Sequence, residues 1–238
     1  MAAQALGSAL ADLPDGWSAA SLHARFVRQG RGGEPIDYRV TPVGERHRQV
    51  IAAQGGRTIL TLDVAFRFAS FAAPASSRNG FEPAGWVPAD DDAAAWISQI
   101  ERRVPYDIRF DGRPASVAGR RGERSGGHRF WLRTSSPLPD APRQHECALT
   151  YISDLLQVST ALARHGLAHG RAGVQAASLD HAVWFHPPFR VDEWLLYEQD
   201  VLTTDGGRGL CSGRLSDRDG RVVASVRQEA LIRRRLPG

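Results

Sequence analysis

The chain has 238 residues, 42% of them hydrophobic and 24% charged, which is enough to bury a real core in one large domain or two smaller ones. Its formal charge is +4, but all 30 basic residues are arginine and, apart from short runs such as Arg120-Arg121 and Arg233 to Arg235, they are scattered. That pattern argues against a nucleic-acid partner and leaves only a general attraction for anionic ligands. No stretch approaches the roughly 18 uninterrupted apolar residues of a membrane span, the first residues lack the basic start of a signal peptide, and Cys147 and Cys211 lack metal-ligand spacing and read as reduced structural thiols. A cytoplasmic protein without a metal is expected.

Met1 to Leu13 is rich in Ala and Leu and reads as a helix stopped by Pro14-Asp15-Gly16. Strand-like runs follow at 20–28, 35–42, 48–54 and 58–68, the last two joined by Gly55-Gly56. A helix followed by an antiparallel meander predicts an α+β fold. Residues 72–95 hold three prolines and the acidic run Asp90-Asp91-Asp92, and read as a connection. Short strands are predicted at 104–111 and 128–133, with a Gly/Arg loop at 114–127 between them. A long helix is predicted from Pro142 to Ala163, with proline at its first position.

The only charged residue of that helix after Glu146, until its end, is Asp154. A helix apolar all round is a buried one. Burial would raise the pKa of such a carboxylate, so Asp154 is a candidate general base. Long strands are expected over Ala177 to His186, Glu193 to Tyr197 and Val222 to Ile232. Ser178 and Gln228 are polar residues on these strands, which by themselves could be a small sheet residue and an amide that satisfies a backbone group. Asp180, His181 and His186 suggest a carboxylate–imidazole pair, but read more readily as structural hydrogen-bonders. Arg208, after Asp205-Gly206-Gly207, is a candidate for an anionic group.

The halves repeat. Ser21-Leu22-His23-Ala24 echoes Ser178-Leu179-Asp180-His181-Ala182, and Gly55-Gly56-Arg57 echoes Asp219-Gly220-Arg221, which sets Val64 opposite Gln228. Such a repeat marks a duplicated domain. The first copy then reads as structural and the second as chemical.

Ser178 to His186 (SLDHAVWFH), Glu193 to Tyr197 (EWLLY), Val223 to Glu229 (VASVRQE) and Pro137 to Asp140 (PLPD) together resemble the acyl-CoA thioesterase II family. The resemblance implies a double hotdog fold, two long helices each wrapped by an antiparallel sheet. It implies an N-terminal hotdog at 1–72, a linker at 73–101 and a catalytic hotdog at 102–238. It also implies hydrolysis of fatty acyl-CoA by a water held by Asp154, Ser178 and Gln228, with no cofactor beyond the CoA of the substrate. Gly207 and Arg208 would meet that CoA. The strand and Gly-Gly-Gln turn that precede the first helix in the family have no counterpart, so the first sheet is expected to lack an edge strand, covered by upstream residues or by the partner in a homo-oligomer. A thioester dehydratase or hydratase relying on His181, and a non-catalytic acyl-thioester binder, are the alternatives.

Overall fold

A computed structural model describes residues 1–68, 81–88, 91–120, 122, 124–168, 173–186 and 188–234. Part of the expected connection (72–80, 89 and 90), together with Arg121 and Arg235, lies outside the described residues. The chain order is α1 (Ala2–Leu10), β1 (Trp17–Phe26), β2 (Asp37–Pro42), β3 (His47–Gln54), β4 (Arg57–Phe68), α2 (Asp91–Glu101), β5 (Tyr106–Phe110), α3 (Ala115–Arg120), β6 (Gly127–Thr134), α4 (Pro142–Ser153), α5 (Gln157–Ala163), β7 (Val174–Phe185), β8 (Leu195–Asp205), β9 (Arg208–Asp217) and β10 (Val222–Arg234). The protein is α+β, as its sequence predicts.

All ten strands form one antiparallel sheet in the order β2-β3-β4-β1-β7-β10-β9-β8-β6-β5. Two-residue glycine turns set the hairpins. Gly55 and Gly56 have φ of 53° and 76°, and Gly206 and Gly207 have φ of 56° and 75°. Those left-handed values suit the right-handed twist of the strands and are open to glycine without strain. About the central β1–β7 pair the order is mirrored: β1, β4, β3 and β2 on one side match β7, β10, β9 and β8 on the other. Among the described residues only the second side continues, through β6 to β5, so β2 is an outer edge.

The strand registers correct the alignment of the two copies. The β1–β4 and β7–β10 ladders each carry one bulge, after Ala19 in β1 and after Ser178 in β7, opposite Phe66/Ala65 and Ala230/Glu229 respectively. Aligning the bulges keeps Val64 against Gln228 but places Ala19, not Ser21, at the position of Ser178. Leu22 then falls at the position of His181. The letters of the repeat mislead by two residues because a small-residue run slides easily, whereas a bulge is fixed by hydrogen bonding.

The helices sit on one face of the sheet. α1 buries Ala2, Ala5, Leu6, Ala9 and Leu10, the i, i+3, i+4 stripe of an amphipathic helix, and packs against α4 and β3. Among the described residues the two long helices expected are not found. α1 spans 9 residues, and the stretch 142–163 divides into α4 of 12 residues and α5 of 7. Leu156, the residue before α5, adopts φ 66°; a leucine there cannot continue α-helical hydrogen bonding. α5 lies close on β9 because glycine allows it. A Cβ on Gly209 would stand 2.8 Å from that of Ala161. Two helices arise where no helix is expected: α2, which buries Ala93 and Trp96, and α3, whose Ser116 N–H donates to Nε2 of His128 at 3.0 Å.

Candidate active site

α4 ends at Ser153, and Asp154 is its C-cap with φ −79° and ψ −15°. The expectation of a buried carboxylate is therefore corrected: Asp154 is exposed, at a break between two helices. Burial along this stretch does not follow hydrophobicity alone. Tyr151 is exposed, whereas Glu146, Thr150, Ser153, Gln157 and Thr160 are all buried. Their spacing of 4, 3, 4 and 3 residues is a helical stripe, polar and facing the sheet. Thr150 Oγ1 donates to the carbonyl of Glu146 at 2.8 Å, and Ser153 Oγ lies 3.0 Å from that of Thr150. The Thr150 back-bond competes with the helix ladder and loosens it.

Opposite the break, β7 and β10 present the other two predicted residues. At the bulge, Asp180 faces Glu229 and Ser178 faces Ala230, with Leu179 between them. In a regular strand Ser178 and Asp180 would share one face. The extra residue separates them, as bulges do next to functional sites. Asp180 turns to the bulge, where Oδ1 accepts the Glu229 N–H at 3.1 Å and Oδ2 lies 3.4 Å from His23 Nε2. Ser178 turns to the helix break. The structure thus brings Asp154, Ser178 and Gln228 together. Gln228 Nε2 donates to Asp154 Oδ1 at 2.8 Å and to Ser178 Oγ at 2.9 Å, and Ser178 Oγ stands 3.4 Å from the same carboxylate oxygen.

Behind these three lies a layer of buried polar side chains that the sequence reading assigns to scaffold or passes over. His181 is fully buried, with Nδ1 2.5 Å from Gln228 Oε1 and Nε2 2.8 Å from Ser153 Oγ. Burial lowers its pKa, opposed by the charge of Asp154, the amide of Gln228 and the charge of Asp180. Tyr197 OH accepts from Gln157 Nε2 at 2.6 Å and donates to the carbonyl of Ser153 at 2.5 Å. Gln199 Nε2 donates to the carbonyl of Leu155 at 2.7 Å and its Oε1 accepts from Thr160 Oγ1 at 2.8 Å. Thr160 also meets His128 Nδ1 at 2.8 Å, and complete burial pulls the His128 pKa down to about 3. The backbone around Asp154 is thereby tied to the sheet at residues 153 and 155. The 4-3-4-3 polar spacing in 146–160 is the signal that could have revealed this layer.

Arg208 and Gly207 are not brought to the three. They line a separate cavity of about 340 Å³ with His165, Leu167, Thr204 and Ile232. Arg208 pairs with Glu229 at 2.5 Å, one residue from Gln228, and the Gly207 carbonyl accepts the Ile232 N–H at 2.7 Å. Cys147 and Cys211 are free, and burial pushes both thiols up to about 12, which makes them poor nucleophiles. Among the described residues no group of three or more His, Cys, Asp or Glu could hold a metal ion.

A family profile described as the acyl-CoA thioesterase C-terminal domain matches residues 73–232. The chain belongs to the acyl-CoA thioesterase family. Among its relatives in that family, acyl-CoA thioesterase 2 of Haemophilus influenzae is 30% identical, over 97% of this chain and 85% of the relative. Acyl-coenzyme A thioesterase 8 of Mus musculus is 31% identical, over 97% and 78%. The crystal structure of the acyl-CoA thioesterase II TesB2 from Mycobacterium marinum is similar with a TM-score of 0.73 and 34% identity, covering 98% of this chain and 87% of that one. A hot dog fold protein from Alicyclobacillus acidocaldarius, 16% identical, shares the fold with a TM-score of 0.67, covering 99% and 86%. No helix among the described residues of this family member is long and apolar enough to cross a membrane.

Proposed function

We propose that this acyl-CoA thioesterase hydrolyses fatty acyl-CoA by direct attack of water, with Asp154 as general base and Ser178 and Gln228 as the groups that hold the reacting water. The support is the shared geometry at Asp154 Oδ1, where one Gln228 amide bonds both the carboxylate and the Ser178 hydroxyl. The 3.4 Å between Ser178 Oγ and Asp154 Oδ1 is long for an O–H···O bond, so the hydroxyl is free to turn to a water lying between them. Asp154 takes a proton from that water as its oxygen bonds the thioester carbonyl carbon. The tetrahedral intermediate breaks its C–S bond, and the departing thiolate recovers the proton from Asp154. The products are the free acid and CoA. The inert thiols of Cys147 and Cys211 make a cysteine-linked intermediate a poor rival.

The fold is read as a double hotdog with copies at 1–72 and 102–238 joined through 73–101. The mirrored strand order about β1 and β7 favours this, with short, broken helices in place of two long ones. The outer edge at β2 favours a homo-oligomer, and the free cysteines suit the cytoplasm. Arg208 and Gly207 are retained as contacts to the CoA phosphates, supported by the exposure of the guanidinium.

A dehydratase would need His181 to reach a substrate, and it is fully buried with both ring nitrogens engaged. The test is thiol release from acyl-CoA of graded chain length by the purified protein. Hydrolysis is expected for at least one chain length. Thermal stabilisation by acyl-CoA with no thiol released from any would mean a binding protein instead.

A further inference from the structure

We infer that His181 is a positioning residue: the proton on its Nδ1 fixes the Gln228 amide so that the NH2 group faces Asp154 and Ser178. This rests on the roles proposed above for those three residues.

The inference follows from counting donors and acceptors. A carboxylate only accepts, so the atom of Gln228 that lies 2.8 Å from Asp154 must be the amide nitrogen. Its second hydrogen goes to Ser178 Oγ at 2.9 Å. The amide oxygen is left facing His181 Nδ1 at 2.5 Å. An amide oxygen cannot donate, so Nδ1 carries the proton. In the neutral ring Nε2 is then an acceptor, and the Ser153 hydroxyl turns its one hydrogen to it at 2.8 Å, in place of the Thr150 carbonyl 3.0 Å away.

The opposite arrangement fails at the site. With the proton on Nε2 instead, Nδ1 would draw the NH2 group, and the amide oxygen would be turned against the Asp154 carboxylate. The location of one proton therefore decides which end of Gln228 the site presents. No water can substitute for the ring in this task, because His181 is 0% exposed. The ring also sets position. Ser153 immediately precedes Asp154, so a single imidazole ties the end of α4 to the strand that carries Gln228.

The first copy supplies an internal comparison. The positions of Ser178, His181 and Gln228 are there Ala19, Leu22 and Val64, all buried and apolar, and Leu22 faces Val64 just as His181 faces Gln228. Leucine and valine build this part of a sheet without any polar group. A histidine needed for the fold alone would have no reason to occur only where the glutamine does.

The test is steady-state thiol release by H181L, H181N, Q228A, D154N and the double variant H181L/Q228A, each checked for folding by circular dichroism. H181L should lower kcat by roughly 10- to 100-fold, the loss of one to two oriented hydrogen bonds, and leave KM within about 3-fold. H181N, whose side-chain amide can donate from the place of Nδ1, should recover most of that loss. In the Q228A background H181L should add less than about 2-fold, because a residue that acts through Gln228 has nothing left to position. If D154N and Q228A abolish turnover while H181L stays within about 3-fold of the parent, or if H181L and Q228A multiply, the inference is overturned and the catalytic assignment stands. If D154N and Q228A turn over normally, that assignment fails and takes the inference with it. Should H181L not fold, 15N NMR of the parent protein decides by itself: a neutral His181 protonated on Nδ1 supports the inference, and one protonated on Nε2 overturns it.

Discussion

Tyr197→Phe removes one oxygen from the most completely buried part of the site. That hydroxyl accepts from Gln157 Nε2 at 2.6 Å and donates to the Ser153 carbonyl at 2.5 Å, and Tyr197 and Gln157 are both 0% exposed. The substitution leaves an amide and a carbonyl unpaired where water cannot reach them, at about 1–3 kcal/mol each. Oε1 of Gln157 already has no hydrogen-bond partner, so turning its amide offers little relief. The ring itself stays in place, edge-on to Phe130 with centroids 5.4 Å apart, and the cost is polar rather than a cavity. Together these give a loss of about 2–4 kcal/mol, a fall in Tm of roughly 5–15 °C for a domain of this size. Adding Gln157→Leu removes the stranded amide, and the double variant should recover about 1 kcal/mol or more relative to Tyr197→Phe. Urea denaturation followed by fluorescence measures both. A Tyr197→Phe protein within about 0.5 kcal/mol of the parent would refute the claim that this layer holds the Asp154 turn to the sheet.

Three further outcomes are expected. Ser178→Ala should lower kcat by roughly 10- to 100-fold in the thiol-release assay, and Ser178→Thr, which keeps the hydroxyl, should stay within about 5-fold of the parent. Burial raises the Glu146 carboxyl to about 7, against the pull of the Ala19 N–H and of Arg67 and Arg143. A raised carboxyl pKa means that the folded state holds its proton more tightly, so this stabilisation is complete below about pH 4.5 and lost as pH rises through about 7. Glu146→Gln should therefore gain stability relative to the parent between about pH 5 and pH 8, by on the order of 3 kcal/mol, read from denaturation midpoints at the two pH values. Arg208→Ala should raise KM for acyl-CoA a few-fold with kcat unchanged, since a phosphate contact is made equally in ground and transition states.

The parts of the fold that follow from local rules were legible in the sequence. The stripe of α1, the Gly55-Gly56 and Gly206-Gly207 turns and the strands that they join need only neighbours a few residues away. Of the three candidate site residues, Asp154 stood out as a lone acid in an apolar run, while Ser178 and Gln228 were marked by the resemblance to the thioesterase family. What was not legible depends on partners far along the chain. At the break after Ser153 the carbonyls of Ser153 and Leu155 accept from sheet side chains, Tyr197 and Gln199, some 44 residues on, and no helix propensity records that. The acidic run at the start of α2 looks like linker until Trp96 is seen to be buried near His128. His181 was read as scaffold because a strand alternation broken by a bulge hides which face it shares with Gln228. The burial of Asp154 was inferred from apolar neighbours and failed because the chain turns at that very residue.

The most direct measurement of the central claim is the turnover of Asp154→Asn. The substitution keeps an oxygen to accept from Gln228 and removes only the ability to take a proton from water. A folded Asp154→Asn protein should bind acyl-CoA with KM within about 3-fold of the parent and release CoA roughly 10²- to 10⁴-fold more slowly, the usual contribution of a general base. Turnover within about 10-fold of the parent would contradict the assignment of Asp154 as the base.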